Sequence, residues 1–198
     1  MKTQQVKLKK LARVLNVICS IVFWIAAVGF CIFLLANIVI AFVPTNSVVM
    51  DATTSGSLTT TLGGTMSFKF DPQVSGKIMI KPFLEDFFGW IAVAALMTAM
   101  ILFEIKRILK SVIQDNPFKK GNSRNLTVIA LVLIIGSCIL PFLEARVVSE
   151  IIRVLQIANI NFSYSVDSTM LFSGIIVLIL AGVFQYGNYL QEEVDSTL

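Results

Sequence analysis

Four long segments without charged residues alternate with charged or turn-rich stretches along the chain. These segments are Val14–Val43, Phe87–Phe103, Leu126–Leu143 and Ser168–Leu190. A helix rises about 1.5 Å per residue and the hydrocarbon core of a bilayer is about 30 Å thick, so roughly 17–25 apolar residues span it. Each segment is long enough. The pattern therefore predicts a membrane protein with four spanning helices.

The flanks of these segments indicate longer helices. Apolar residues at helical spacing between Ile105 and Ile113 continue the second helix to about residue 115. An amphipathic stretch over residues 144–157 extends the third helix beyond the membrane, with Pro141 permitting a kink. A single domain covering residues 1–198 is expected. Its predicted helices lie at residues 14–43, 87–115, 124–157 and 168–191.

The two connections on the other side of the bundle alternate in the manner of strands. Gly63 and Gly64 separate two such stretches in the loop of residues 44–86, which favours a hairpin because glycine adopts positive φ angles. A lone strand in the second loop is unstable in water, so we expect it to join the same sheet. The strands are expected at residues 47–51, 57–62, 65–70, 77–81 and 159–167. The predicted fold is an all-α transmembrane four-helix bundle with a small extracytoplasmic β-sheet built from both outer loops.

Lysine and arginine are distributed unevenly around the four segments. Hydrophobic residues make up 56% of the chain and charged residues 14%, below the quarter or so usual in soluble domains. Five basic residues precede the first helix and six lie between the second and third, against five in the other two loops. Basic loops stay in the cytoplasm, so both termini are expected there. The net charge of +4 is then a topology signal, the bilayer is the expected partner, and no direct nucleic-acid binding is expected.

Little in the sequence indicates catalysis. The chain has no histidine, which removes the commonest general base and metal ligand. It also has no Gly-rich phosphate loop and no paired metal-ligand spacing. The centres of the spans carry no charge, which disfavours an ion path, and small residues such as Gly174 and Gly182 favour close helix packing. We expect no enzymatic activity, no cofactor, and no catalytic or metal-binding residues.

Two motifs on the cytoplasmic side remain. One is a Pro-Phe turn at residues 117–118, and the other is the acidic end of the last helix at residues 191–195. Both have structural interpretations, since a proline ends the preceding helix and Asn122 or Ser123 can cap the next one. In the functional interpretation they form a docking platform for a soluble partner. The candidate docking residues are Pro117, Phe118, Glu192, Glu193 and Asp195.

The same two motifs resemble a known family. The Asn-Pro-Phe turn before the third helix, and Phe-x-x-Gly-x-x-Leu-Gln-Glu-Glu-x-Asp at residues 184–195, look like the bacterial domain-of-unknown-function family 2975. The resemblance implies a small four-span protein of the bacterial plasma membrane, often encoded beside a helix-turn-helix regulator, with no established activity. The layout is also similar to that of claudins, by analogy only, because the tryptophan and paired cysteines of claudin first loops are absent.

Two functions from different classes are compatible with these features. The first is a signalling or regulatory membrane component that binds a protein or peptide partner, for which a small helix-turn-helix regulator is the partner that the resemblance implies. The second is an immunity-type protein that protects against a membrane-active toxin by binding an extracellular peptide. An exposed sheet edge would serve either one. An adjacent helix-turn-helix gene favours the first function, and an adjacent peptide-toxin gene favours the second.

Overall fold

Four long helices and four short strands form the part of the chain that the structure describes. The computed structural model describes residues 2–52, 58–62, 66–70, 76–114, 120–154 and 164–196. The helices are α1 (Lys2–Phe42), α2 (Lys81–Ile113), α3 (Lys120–Val154) and α4 (Ser168–Ser196). The strands are β1 (Val49–Ala52), β2 (Leu58–Leu62), β3 (Met66–Phe70) and β4 (Gly76–Met79), and a 3-10 turn lies at Thr45–Ser47.

All four helices are long and apolar enough to cross a membrane. Many of their large apolar side chains are exposed, among them Trp24, Ile25 and Phe172, each about two-thirds accessible. Such faces are unfavourable in water and suited to lipid, where a helix also satisfies its own backbone hydrogen bonds. The predicted bundle of four spanning helices is therefore confirmed.

Helices α1, α2 and α3 begin before the predicted residues, and α4 ends after its predicted end. Helix α1 begins at Lys2, because the basic stretch before the apolar segment consists largely of good helix formers such as lysine, glutamine and leucine. Helix α2 begins at Lys81 and ends at Ile113. Helix α3 continues to Val154 with Pro141 inside it, as predicted.

The chain divides into two compact units. Unit 1 comprises Met1–Ile32, Ala92–Pro141 and Ser165–Leu198, and unit 2 comprises Phe33–Ile91 and Phe142–Tyr164. Small residues form much of the core of unit 1: Ala130 and Ser137 are fully buried, and Ala181 is nearly so. In the absence of a hydrophobic driving force between helices in lipid, such small residues allow the close contacts that hold helices together.

Gly174 and Gly182 on α4 were both predicted to allow close helix packing, and the structure confirms this for the first only. A Cβ atom added to Gly174 would lie 2.7 Å from Cγ1 of Ile134, so α4 touches α3 there. A Cβ atom added to Gly182 would meet no atom of the described residues within 4 Å. The prediction that Gly182 serves close packing is wrong, because its position on α4 faces open space.

The strands of the first loop belong to unit 2 and form two separate antiparallel pairs. Strand β1 pairs with β4, with Val49 opposite Met79, and β2 pairs with β3, with Leu62 opposite Met66. A single sheet built from both outer loops is thus not supported. The predicted strand at residues 159–167 falls partly outside the described residues, and its described portion, from Tyr164 onward, is not in a strand.

A lysine joins the end of α1 to the start of α2 in unit 2. Lys81 Nζ donates to the carbonyl oxygens of Ala41 (3.3 Å) and Val43 (2.7 Å), and it forms an ion pair with Glu85 (3.3 Å). Asn37 Nδ2 donates to the carbonyl oxygen of Glu85 at 2.6 Å. The last carbonyls of a helix have no intrahelical donor, so the bonds from Lys81 stabilise the end of α1, and the bond from Asn37 joins α1 to the beginning of α2. They explain why α2 begins at the charged residue Lys81.

Candidate functional site

A group of polar side chains is buried in unit 1, where α2 ends and α3 begins. We call it the polar cluster. Burial of polar groups in an apolar bundle is unfavourable unless each finds a hydrogen-bond partner, so the contacts of these side chains decide whether they are tolerated. The buried members are Glu104, Ser111, Asn122 and Asn125, and Arg107 lies beside them.

Glu104 is only 8% exposed, and its carboxylate contacts members of the polar cluster on both helices. Arg107 Nη1 lies 3.3 Å from Glu104 Oε2, one helical turn along α2. In the amide orientation that satisfies both of its polar atoms, Asn125 Nδ2 donates to Glu104 Oε2 at 3.1 Å and to the Gly121 carbonyl at 3.0 Å. Donors from both helices therefore hold this carboxylate in place.

Two further side chains connect α3 to its neighbours. Asn122 Nδ2 donates to Ser111 Oγ on α2 at 2.8 Å, and Ser123 Oγ donates to the carbonyl oxygen of Ala181 on α4 at 2.9 Å. The interpretation of Asn122 or Ser123 as the cap of α3 is therefore wrong. Helix α3 begins at Lys120, and both side chains bond to other helices.

A cleft of about 430 Å³ opens beside the polar cluster, and we call it the basic cleft. Arg107 and Lys110 provide two cations, and Gln114 and Asn122 add side-chain amides. Its full lining is Arg107, Lys110, Ser111, Gln114, Gly121, Asn122 and Asn125. Charge-assisted hydrogen bonds to carboxylates are among the strongest that proteins form, and arginine makes them bidentately. The basic cleft is therefore suited to an anionic group.

A second cleft of about 820 Å³ lies between α3 and α4, also in unit 1. Arg124, Thr127 and Gln185 contribute to its lining, together with Asn188. Asn188 is 7% exposed, and its Oδ1 has no hydrogen-bond partner among the described residues. A buried acceptor without a donor costs about 1–3 kcal/mol, so this wall is suited to an N–H or O–H donor.

The predicted docking residues are placed as follows. Pro117 and Phe118 lie outside the described residues. Helix α4 continues to Ser196 and so includes Glu192, Glu193 and Asp195. Glu193 is exposed, whereas the side chains of the other two residues lie outside the described part. Their role in docking stays a prediction. Within the described ranges, no group of three or more histidine, cysteine, aspartate or glutamate side chains could hold a metal ion.

The polar cluster was not among the predicted site residues, although the sequence carries a signal for it. Glu104 and Ser111 are seven residues apart and so share one face of α2, while Asn122 and Asn125 are three apart on α3. Two polar residues on one face of each of two consecutive helices indicate a contact between those faces. Which side chains bond to one another across that contact is known only from the structure.

Four helices long and apolar enough to cross a membrane define an integral, multi-pass membrane protein. Residues 84–198 match the family described as "Protein of unknown function (DUF2975)", and the match covers more than half of the chain. The chain belongs to that family, which confirms the resemblance carried by the Pro-Phe turn and the acidic helix end. The matched range includes the polar cluster and both clefts. No curated protein and no solved structure matches the chain.

Proposed function

We propose that this membrane protein is a signalling or regulatory component that binds an acidic segment of a soluble protein partner in the basic cleft. The observation that supports this proposal is the fixed position of the cleft's arginine. Arg107 Nη1 contacts the buried Glu104 carboxylate at 3.3 Å, and its guanidinium carbon lies 5.6 Å from the centre of the Phe103 ring. A side chain that is already ordered loses less entropy when it binds.

The other donors of the basic cleft follow Arg107 along the same face of α2. Lys110 and Gln114 lie three and seven residues further on, so the three side chains form a row at helical spacing. A hydrogen bond to a charged group contributes about 1.5–3 kcal/mol, and 1.4 kcal/mol corresponds to about tenfold in affinity. Loss of one cation from this row should therefore weaken binding of an acidic segment about tenfold or more.

The partner and location also belong to the proposal. The excess of basic residues around this end of the bundle supports a cytoplasmic position, with both termini inside the bacterial plasma membrane. A soluble helix-turn-helix regulator is the partner class that the family resemblance implies. In this proposal the membrane protein itself performs no catalysis and contacts no nucleic acid directly.

A pull-down with a matched pair of variants tests the proposal. The tagged membrane protein is co-expressed with the helix-turn-helix protein encoded beside its gene, and recovery is measured in detergent. Lys110 on α2 and Lys10 on α1 are both exposed lysines on the expected cytoplasmic side, so Lys110→Glu tests the cleft and Lys10→Glu controls for charge. We expect about tenfold lower recovery with Lys110→Glu only. Unchanged recovery with Lys110→Glu, or an equal loss with both, would contradict docking in the basic cleft.

A reversal of the acidic helix end tests the predicted platform separately. If Glu192 and Glu193 compete with the acidic segment of the partner for nearby cations, their replacement by lysine should raise recovery of the partner. If they contact the partner directly, recovery should fall. Unchanged recovery of a partner that binds the wild-type protein would remove the acidic end from the docking site and leave the basic cleft.

The strands of unit 2 favour the immunity-type function as a second candidate. Each described sheet has only two strands, so every strand has one edge without a described partner strand. A peptide can add to such an edge as a further strand. Protection of cells against a peptide toxin encoded nearby would support this function. Protection that persists after proline substitutions in β1 and β2 would contradict strand addition as its mechanism.

A further inference from the structure

An apolar groove lies between α1 and α2 in unit 1. Its volume is about 340 Å³, and its wall includes Phe23, Ala27, Phe30, Ala99 and Phe103. The rings of Phe23 and Phe103 approach each other, with their centres 6.1 Å apart, while the small side chains of Ala27 and Ala99 leave room beyond them. The groove is open at its side and lies within the apolar spans of both helices. It is therefore accessible to the hydrocarbon of the bilayer.

Two cations lie at the phenylalanine end of this groove. Lys106 Nζ is 4.6 Å from the centre of the Phe23 ring, and Arg107 Cζ is 5.6 Å from that of Phe103. Arg107 pairs with Glu104 through one guanidinium nitrogen, which leaves other N–H groups of this half-exposed side chain to donate to an anion. Among the described residues no acidic side chain forms an ion pair with Lys106, which thus offers its charge beside an apolar part of α1.

We propose that the groove binds an anionic phospholipid, with one acyl chain along the apolar wall and the phosphate beside Lys106 and Arg107. An acyl chain that fills the groove gains dispersion contacts that neighbouring helices do not provide. Basic residues between transmembrane helices are suited to anionic headgroups. The lining of the groove contains no carboxylate, so a second copy packed through the same lining would bring none from it to Lys106, and the cation favours the lipid.

Trp24 offers a local probe of the groove. Its indole ring contacts the ring of Phe23, with centres 5.7 Å apart, and the side chain is 65% exposed. The chain has two tryptophans, so Trp90→Phe leaves Trp24 as the only one. Lipids with brominated acyl chains quench tryptophan on contact. Quenching of Trp24 in nanodiscs therefore reports which lipid occupies its surroundings.

The experiment compares brominated phosphatidylglycerol with brominated phosphatidylcholine at equal mole fraction, using the full chain with Trp90→Phe. One cation near an anionic headgroup should give about a fivefold preference for phosphatidylglycerol. Lys106→Gln should remove most of this preference. Arg124→Gln removes one charge from an exposed position outside the groove and should preserve it. A preference that is absent in the parent protein, or equal in Lys106→Gln, would overturn the proposal.

A second variant tests the groove itself and guards against misfolding as an explanation. Ala27→Phe fills the groove without a change of charge, so it should also lower the preference for phosphatidylglycerol. Gel filtration checks that each variant stays folded and monodisperse. Native mass spectrometry then distinguishes the occupants: retained phosphatidylglycerol on a single chain supports the lipid. A lipid-free dimer that Ala27→Phe dissociates would show that a second copy covers the groove, against the proposal.

Discussion

Gly174 is the position where a single methyl group should most clearly weaken the bundle. In Gly174→Ala the new Cβ would lie 2.7 Å from Ile134 Cγ1, 3.1 Å from the Ala130 carbonyl oxygen and 3.1 Å from the Ile134 amide nitrogen. Two of these atoms belong to the backbone of α3. The third belongs to a β-branched side chain, whose χ1 angle is restricted in a helix. The clash can therefore be relieved only if α3 and α4 move apart.

The expected loss follows from the cost of overpacking. Extra atoms in a well-packed core typically cost about 1–3 kcal/mol. Alanine is better than glycine in a helix by about 0.8–1.0 kcal/mol, but helices persist in the detergent-unfolded state, so most of this gain cancels between the two states. We expect Gly174→Ala to lower the free energy of unfolding by about 1–3 kcal/mol.

Two other glycines supply the controls. Gly182→Ala, on the same helix, adds a methyl group to open space and should change stability by less than about 1 kcal/mol. Gly136→Ala meets the Cε atom of Met170 and the Sδ atom of Met97, and these flexible side chains can adjust, so its loss should be intermediate. The measurement is unfolding by SDS in mixed micelles, followed by circular dichroism. Equal midpoints for Gly174→Ala and Gly182→Ala would refute close packing at Gly174.

Three further predictions concern the ion pairs and the topology. Glu104→Ala removes the carboxylate acceptor of the buried Asn125 amide and should cost about 1–3 kcal/mol in the same unfolding assay, whereas Glu104→Gln, which keeps the shape and one acceptor, should cost less. Equal losses would mean that the carboxylate's contacts do not stabilise the bundle. Arg146 Nη2 lies 2.9 Å from Asp86 Oδ1 in unit 2, and the arginine is more than half exposed. A double-mutant cycle with alanine should therefore give a coupling energy of about 0.5–1 kcal/mol that falls at high salt. A coupling energy of zero at low salt would contradict a stabilising ion pair. In a cysteine-free background, an impermeant maleimide should label Ser47→Cys in intact cells and Gln114→Cys only after permeabilisation, since both positions are exposed; the reverse pattern would overturn the orientation.

The sequence was sufficient to predict the four helices, because an uncharged segment of spanning length has few alternatives. It was less informative about helix ends. Helix α2 begins at Lys81 and not at residue 87, because the lysine satisfies carbonyl groups of α1 and pairs with Glu85. The first of these contacts joins residues that are far apart in the chain. No local pattern in the sequence indicates that contact, although Pro82 in the first turn of α2 is a local signal for a helix start.

The polar cluster could be predicted only in part, because its contacts also join residues on different helices. The spacing of Glu104 and Ser111 places both on one face of α2, but their partners depend on how α3 is aligned beside it. That alignment brings Asn125 to Glu104 and Asn122 to Ser111. Similarly, alternation within the loop of residues 44–86 indicates strands and leaves their partners open. The structure pairs β1 with β4 and β2 with β3, without a described strand from the second loop.

Arg107 connects the two proposed binding sites, and this connection gives a final prediction. Its guanidinium pairs with Glu104, lies over Phe103 at the end of the apolar groove and lines the basic cleft. Lys106 contacts the ring of Phe23 on α1, whereas Lys110 lines the cleft with residues of α3. We therefore expect Lys106 to contribute only to lipid binding, Lys110 only to partner binding, and Arg107 to both.

Three substitutions on α2 should accordingly give three different patterns. Lys106→Gln should reduce the lipid preference and leave partner recovery unchanged, and Lys110→Glu should do the opposite. Arg107→Gln should reduce both. Loss of both readouts in each lysine variant would show that the groove and the cleft act as one site. If Arg107→Gln changes neither the lipid preference nor the recovery of the partner, its contacts with Glu104 and Phe103 only stabilise the bundle. An arginine held by a buried carboxylate and an aromatic ring can serve packing without binding any ligand.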